Sequence, residues 1–177
     1  MGSNQLLLIV AALAILITLQ LSINGSLIRS FVADLDGEAT IDAVSVGEAM
    51  VDEIQTKVFD EQVVPGVVFD LNLLTPSNSF GRETSTENTV SPYEREPFQS
   101  KTKFNDVDDY DGYTRIVTSP RLGDYTVKDT VYYVLGSNLD SPSNTQTWWK
   151  KVEVTVTHPN LLFPVTVKSV VVYRQFF

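Results

Sequence analysis

The sequence predicts an α+β protein: a long N-terminal helix, first apolar and then amphipathic, packs on a C-terminal antiparallel β-sheet. Three features predict this fold. The first 28 residues contain no Asp, Glu, Lys or Arg; apolar residues then recur every three or four positions as far as Val58; and strand-forming segments follow one another after Tyr113. The length of 177 residues suits one ordinary domain with an appendage.

The N-terminal segment is apolar on every side. Residues 6–23 read LLLIVAALAILITLQLSI, and a helix of this length spans roughly 27 Å, close to the hydrocarbon thickness of a bilayer. Such a helix must lie in lipid or among other helices. Three roles fit it: a cleaved secretory signal, a permanent membrane anchor, or a helix that leaves the membrane to join a filament core. The first five residues include no Lys or Arg, which disfavours the signal peptide.

The next residues predict a weak point and then a second kind of helix. Gly25 costs about 1 kcal/mol relative to alanine in a helix, and the Ser22 and Asn24 side chains compete for backbone hydrogen bonds. We therefore expect the helix to loosen between Leu21 and Gly25. Beyond it, apolar residues spaced by three and four define one helix face, and most acidic residues fall off that face. This amphipathic part is expected to pack on a core.

A change of composition marks the C-terminal part. Pro65 and Gly66 are expected to end the helix, and Val67–Leu71 is a strand candidate. The predicted segments are an apolar helix over residues 1–28, its amphipathic continuation over 29–60, and a β-rich head over 61–177 with a long loop at about 75–112. The head is expected to contain an antiparallel sheet of three or four strands, with strand signals over residues 114–118, 125–134, 148–157 and 165–173.

Composition disfavours most catalytic and nucleic-acid-binding functions. The chain has no cysteine and a single histidine, His158, so it offers no disulfide, thiol nucleophile or multi-histidine metal site. The net charge of −9 argues against direct nucleic-acid binding, and no glycine-rich phosphate-binding motif occurs. We expect a protein that is not an enzyme and needs no cofactor, with His158 exposed at a turn and the Trp148-Trp149 pair packing in the sheet rather than stacking on a ligand.

One acidic loop leaves two interpretations open. Asp106, Asp108, Asp109 and Asp111 place four carboxylates within six residues. Calcium prefers six to eight oxygen ligands, which clustered aspartates in a loop can supply, although the spacing does not follow the EF-hand pattern. The favoured interpretation is a solvated acidic turn, and a calcium site is the alternative.

The chain resembles the type IV pilins and pseudopilins, and its motifs are similar to those of minor members. Residues 46–60, VGEAMVDEIQTKVFD, resemble the end of the long helix of that family. Residues 104–113, FNDVDDYDGY, resemble a loop motif, and residues 150–159 with 165–174 resemble its closing hairpin. One departure is Gln5, which stands where family members carry a glutamate that is thought to pair with the N-terminal amine of a neighbouring subunit.

The resemblance implies a structural subunit of an extracellular helical filament of the type IV pilus type. It implies a homopolymer, with other pilins as further partners, that is inserted in the inner membrane before assembly and lies outside the cell afterwards. Adhesion, motility, secretion and DNA uptake are the alternative roles of such a filament. The alternative from another class is a membrane-anchored extracytoplasmic binding domain that never polymerises. The residues assigned to assembly are Met1, Gln5, Leu6, Leu7, Leu8, Ile9, Val10, Leu13, Ile15, Leu16, Ile17 and Leu19.

Overall fold

The computed structural model describes residues 2–174. The chain forms two compact units, which divide between Glu38 and Ala39. The first helix, α1, runs from Ser3 to Gln55 and contributes residues to both units. The predicted α+β class is confirmed, because the part of α1 in the second unit packs against a six-stranded, mostly antiparallel sheet.

The first unit consists of α1 as far as Glu38, and the helix is continuous there. The predicted loosening between Leu21 and Gly25 is wrong for this structure, because Ser22, Asn24 and Gly25 all lie inside the α-helix. The physical reason is one of magnitude. An interior glycine costs about 1 kcal/mol, whereas interrupting the helix would leave four carbonyl groups without helical partners at one new end and four N–H groups at the other.

The second unit is built on a six-stranded sheet. The strands are β1 (Glu94–Arg95), β2 (Thr114–Ser119), β3 (Gly123–Leu135), β4 (Asn138–Pro142), β5 (Trp149–Thr157) and β6 (Val165–Val172). Their order is β1-β2-β3-β5-β6, β4 pairs with the end of β3, and these strand pairs are antiparallel except β1 with β2. A short helix, α2 (Ser100–Lys103), precedes β2.

The core of the second unit lies between α1 and one face of this sheet. Along β5, Val152, Val154 and Val156 are buried and face the helix side, which follows from the two-residue period of a strand. On α1 the buried residues are Ala39, Ala43, Gly47, Met50, Val51 and Ile54. Gly47 allows the closest approach, since a Cβ at that position would come within 2.7 Å of Val167 Cγ2.

Two parts of the head differ from the prediction. The strand expected over Val67–Leu71 is absent; Asp70 instead accepts a hydrogen bond from the Asn72 amide and starts a one-turn 3₁₀ helix. Two short strands, β1 and β4, were not predicted. Every residue of β4, NLDSP, is exposed. Because no face of this strand is buried, its sequence lacks the alternation of apolar and polar residues that predicts a strand. Residues 75–112 consist of bends, turns and three short 3₁₀ segments, together with β1 and α2.

Candidate functional site: apolar helix and buried acidic cluster

The apolar half of α1 exposes its large side chains on all sides. Each of the ten apolar residues assigned to assembly is between 50% and 70% exposed: Leu6, Leu7, Leu8, Ile9, Val10, Leu13, Ile15, Leu16, Ile17 and Leu19. Gln5 is exposed as well, and Met1 lies outside the described residues. Fully burying one such Leu or Ile side chain is worth about 1.5–3 kcal/mol, so this surface strongly favours an apolar environment.

By length and composition, α1 is apolar enough to cross a membrane. Its most apolar 18-residue window has a mean hydropathy of 2.7, and none of that window is buried within the chain. A helix of this kind near the N-terminus fits a membrane anchor or a signal sequence. Because no face of it is polar, it can equally pack among other apolar helices.

At the other end of α1, Glu53 connects the helix to the acidic loop and the sheet. Its Oε2 lies 2.6 Å from Arg115 Nη1 on β2, and its Oε1 accepts a hydrogen bond of 3.0 Å from the Tyr110 hydroxyl. The side chains of Arg115 and Glu53 are only 4% and 9% exposed. The guanidinium also lies over the Phe98 ring, 4.5 Å from its centroid. These contacts fix the loop of the FNDVDDYDGY motif against the helix end.

The acidic loop is a buried network, so the predicted solvated turn is wrong. Asp106, Asp108 and Asp109 are at most 1% exposed, and Asp111 is half-buried. Their carboxylates bind within the fold: Asp109 accepts hydrogen bonds from the backbone of Asn105 and Asp106, Asp106 accepts one from the Asp109 amide, and Asp111 accepts one from the Val131 amide. A 3₁₀ turn, Asp108–Tyr110, places these residues in the interior, and the sequence pattern did not predict it.

Lys150 is the cation inside this network. Its Nζ is fully buried, donates to the Phe59 carbonyl at 2.8 Å and to Asp60 Oδ2 at 3.0 Å, and contacts Asp108 Oδ1 directly. Three aromatic rings surround it, those of Phe59, Phe80 and Tyr133, with centroids 4.8, 4.9 and 5.5 Å away. Aromatic faces attract a cation, and this attraction strengthens where water is excluded.

Burial and mutual repulsion raise the pKa values of the carboxyl groups in this network. Burial raises the pKa of Asp106 to about 9, and the neighbouring Asp108 carboxylate contributes to this rise. Burial also raises the pKa of Asp108, although the adjacent Lys150 opposes this shift. A pKa above neutrality favours the protonated form of the Asp106 carboxyl.

A second group of carboxylates adjoins this network. One oxygen each from Glu83, Glu87 and Asp109 lies within 4.8 Å of the others, with Glu83 exposed and the other two buried. Oxygens at this spacing are compatible with one calcium ion, whose ligands lie at 2.3–2.6 Å. Of the four aspartates predicted for calcium, only Asp109 belongs to this group, and calcium binding stays a prediction.

The remaining candidates have structural contacts. His158 is half-buried rather than exposed; its Nε2 lies 2.9 Å from the Leu122 carbonyl, its Nδ1 accepts from the Asn160 amide, and its ring stacks on Tyr125. Trp148 stacks on Tyr173 with ring centroids 5.3 Å apart. His158 and Trp148 therefore pack against neighbouring parts of the fold.

Lys150 could have been found from the sequence. The alternation that puts Val152, Val154 and Val156 on the packed face of β5 also puts Lys150 on that face. A buried lysine needs a carboxylate partner, and the acidic loop is the obvious source. Asp60, which follows the helix, carried no such signal.

The arrangement of a long apolar N-terminal helix on a C-terminal sheet resembles a pilin fold. The chain matches no protein-family model, and no match was found among curated proteins or solved structures. The resemblance therefore rests on the architecture and on the short sequence motifs alone.

Proposed function

We propose that this protein is a structural subunit of an extracellular helical filament of the type IV pilus type, assembled through the apolar half of α1. One observation carries the proposal: the large side chains of residues 6–23 are exposed on every side of a charge-free helix. A helix of this kind is stable in lipid or in a bundle of similar helices, and unstable in water.

The second unit complements this role. It folds around its own core, and it carries most of the charged residues of a chain whose net charge is −9. The chain thus combines a segment that must avoid water with a unit that tolerates it. When subunits leave the membrane, the apolar segments bury one another, and a repeated head-to-tail contact that does not close produces a filament. No substrate chemistry is needed for this function, so we propose a protein that is not an enzyme.

A matched pair of substitutions on α1 tests the proposal. Ala14→Lys places a charge in the apolar segment, where an unpaired charge costs several kcal/mol. Ala49→Lys is the control, because Ala49 is an exposed residue of the same helix but lies in the second unit. Electron microscopy of sheared fibres should show loss of filaments for Ala14→Lys and normal filaments for Ala49→Lys. Normal filaments from both variants would refute assembly through this segment.

The competing function is a membrane-anchored binding domain that does not polymerise, and the suitability of α1 for spanning a bilayer favours it equally. Cell fractionation separates the two functions. A filament subunit is recovered in a detergent-free extracellular pellet, whereas a permanent anchor is released only with detergent.

A further inference from the structure

Lys150 and Asp108 form a buried ion pair in which the two side chains are in direct contact. Lys150 Nζ touches Asp108 Oδ1, so the carboxyl carbon Cγ lies one bond beyond the contacting oxygen. Both side chains are fully buried, and the Phe59, Phe80 and Tyr133 rings surround the nitrogen. Reacting groups that are held in contact in this way gain a large effective concentration.

The two carboxylates next to Lys150 differ in how well they are hydrogen-bonded. Asp60 accepts hydrogen bonds from the Gln62 amide, from Thr75 and from the Tyr133 hydroxyl, which hold its carboxylate in place. Asp108 Oδ2, by contrast, receives no hydrogen bond from an N–H or hydroxyl group in the described part of the chain, and its neighbour is the Asp106 carboxyl. Asp60 is therefore held in position to accept a proton from Lys150, whereas attack on Asp108 disturbs fewer hydrogen bonds.

We propose that Lys150 and Asp108 form an intramolecular amide, an isopeptide bond, inside the head. The Lys150 ammonium passes a proton to Asp60, and its nitrogen lone pair attacks Asp108 Cγ. The new N–C bond forms and one Cγ–O bond breaks. The leaving oxygen takes back the proton held by Asp60 and the second proton released from nitrogen, and it departs as water. Ammonium and carboxylate thus become amide and water, and no oxidant or other reactant is needed.

Two features of the fold favour this product. A buried ion pair carries a large desolvation cost, and a neutral amide removes both charges from the interior. The chain has no cysteine, so a disulfide cannot cross-link it, whereas this bond would join Asp108 to Lys150 across 42 positions. Lys150 lies on β5, which pairs with both β3 and β6, so the bond would fasten the acidic loop to the middle of the sheet. This inference does not depend on filament formation.

Mass spectrometry of the purified full-length protein tests the bond directly. The wild-type mass should be lower than the sequence mass by one water molecule. Trypsin does not cleave after an acylated lysine, so the digest should contain residues 104–115 joined to residues 129–151. A wild-type digest with residues 104–115 released as a linear peptide would overturn the proposal, and this result requires no variant to fold.

Variants identify the reacting groups. Lys150→Arg keeps the charge but should restore the full sequence mass, and Asp108→Asn should lose ammonia in place of water if its side-chain amide reacts with Lys150. Dehydration elsewhere, such as a succinimide at Asp111-Gly112, would persist in Lys150→Arg. Water loss that survives in this variant would contradict the assignment to Lys150.

Discussion

Arg115 Nη1 lies 2.6 Å from Glu53 Oε2, and this buried ion pair joins the last turns of α1 to strand β2. Glu53 also joins the two pilin-like motifs, residues 46–60 and 104–113, because its other carboxylate oxygen accepts a hydrogen bond from the Tyr110 hydroxyl. The FNDVDDYDGY segment therefore connects the helix to the sheet. Its aspartates Asp106, Asp108 and Asp109 are buried and do not form an exposed acidic surface.

Removing the charge of Glu53 should destabilise the head strongly. Glu53→Gln leaves the Arg115 guanidinium buried without its ion partner, which costs about 3 kcal/mol or more of unfolding free energy. Asp124→Asn is the control, because Asp124 pairs with Arg95 at the surface, and exposed pairs contribute about 1 kcal/mol or less. Urea unfolding of both variants measures the difference; equal small losses would show that the buried pair is dispensable.

The close approach of α1 to β6 should make Gly47 intolerant of a side chain. In Gly47→Ala the new methyl group meets Val167 Cγ2 at 2.7 Å, and overpacking of this kind costs about 1–3 kcal/mol. This exceeds the gain of about 1 kcal/mol that alanine brings to a helix. Gly66→Ala is the control, because a Cβ there meets no atom within 4 Å. A Gly47→Ala protein with an unchanged or higher melting temperature would contradict so close a contact between helix and sheet.

Asp129 should make the head less stable as the pH rises. It is fully buried, neither oxygen receives a hydrogen bond from the described residues, and burial raises its pKa well above the ordinary value. Because the folded state then binds the proton more tightly than the unfolded state, stability is complete below the unfolded pKa of about 4. It falls by up to about 1.4 kcal/mol per pH unit until the folded pKa is reached.

Asp129→Asn removes this titration with little change of shape. Between pH 5 and pH 7 the unfolding free energy of the wild type should therefore decline more than that of the variant. Urea unfolding at the two pH values provides the comparison. The same pH dependence in both proteins would show that Asp129 is already ionised in the folded state at pH 5, so that its pKa is not raised.

The sequence predicted the elements that carry a simple pattern of apolar residues. Residues 6–23 are apolar without interruption by charge, which predicts a long helix, and Val152, Val154 and Val156 alternate with polar residues, which predicts a strand with one packed face. The position of Lys150 follows from the same alternation. The acidic loop could not be placed in this way, because its burial depends on partners such as Lys150, which lies 42 positions from Asp108 in the chain.

The weak point at Gly25 shows the limit of local propensity. Gly25 and its polar neighbours predicted a break, yet α1 is continuous through them. A penalty of about 1 kcal/mol is smaller than the cost of creating two new helix ends. In the same way, the Asp70 side chain decided the conformation of the segment that contains Val67–Leu71, because its hydrogen bond to the Asn72 amide favours a turn over a strand.

We propose that the apolar half of α1 forms the core of an extracellular filament, and cryo-electron microscopy of fibres sheared from intact cells without detergent tests this proposal. We expect fibres composed of this chain, with residues 6–23 of neighbouring subunits packed together along the fibre axis and shielded from water. Recovery of the chain in the membrane fraction alone, or fibres in which these residues face solvent, would contradict a filament core formed by this helix.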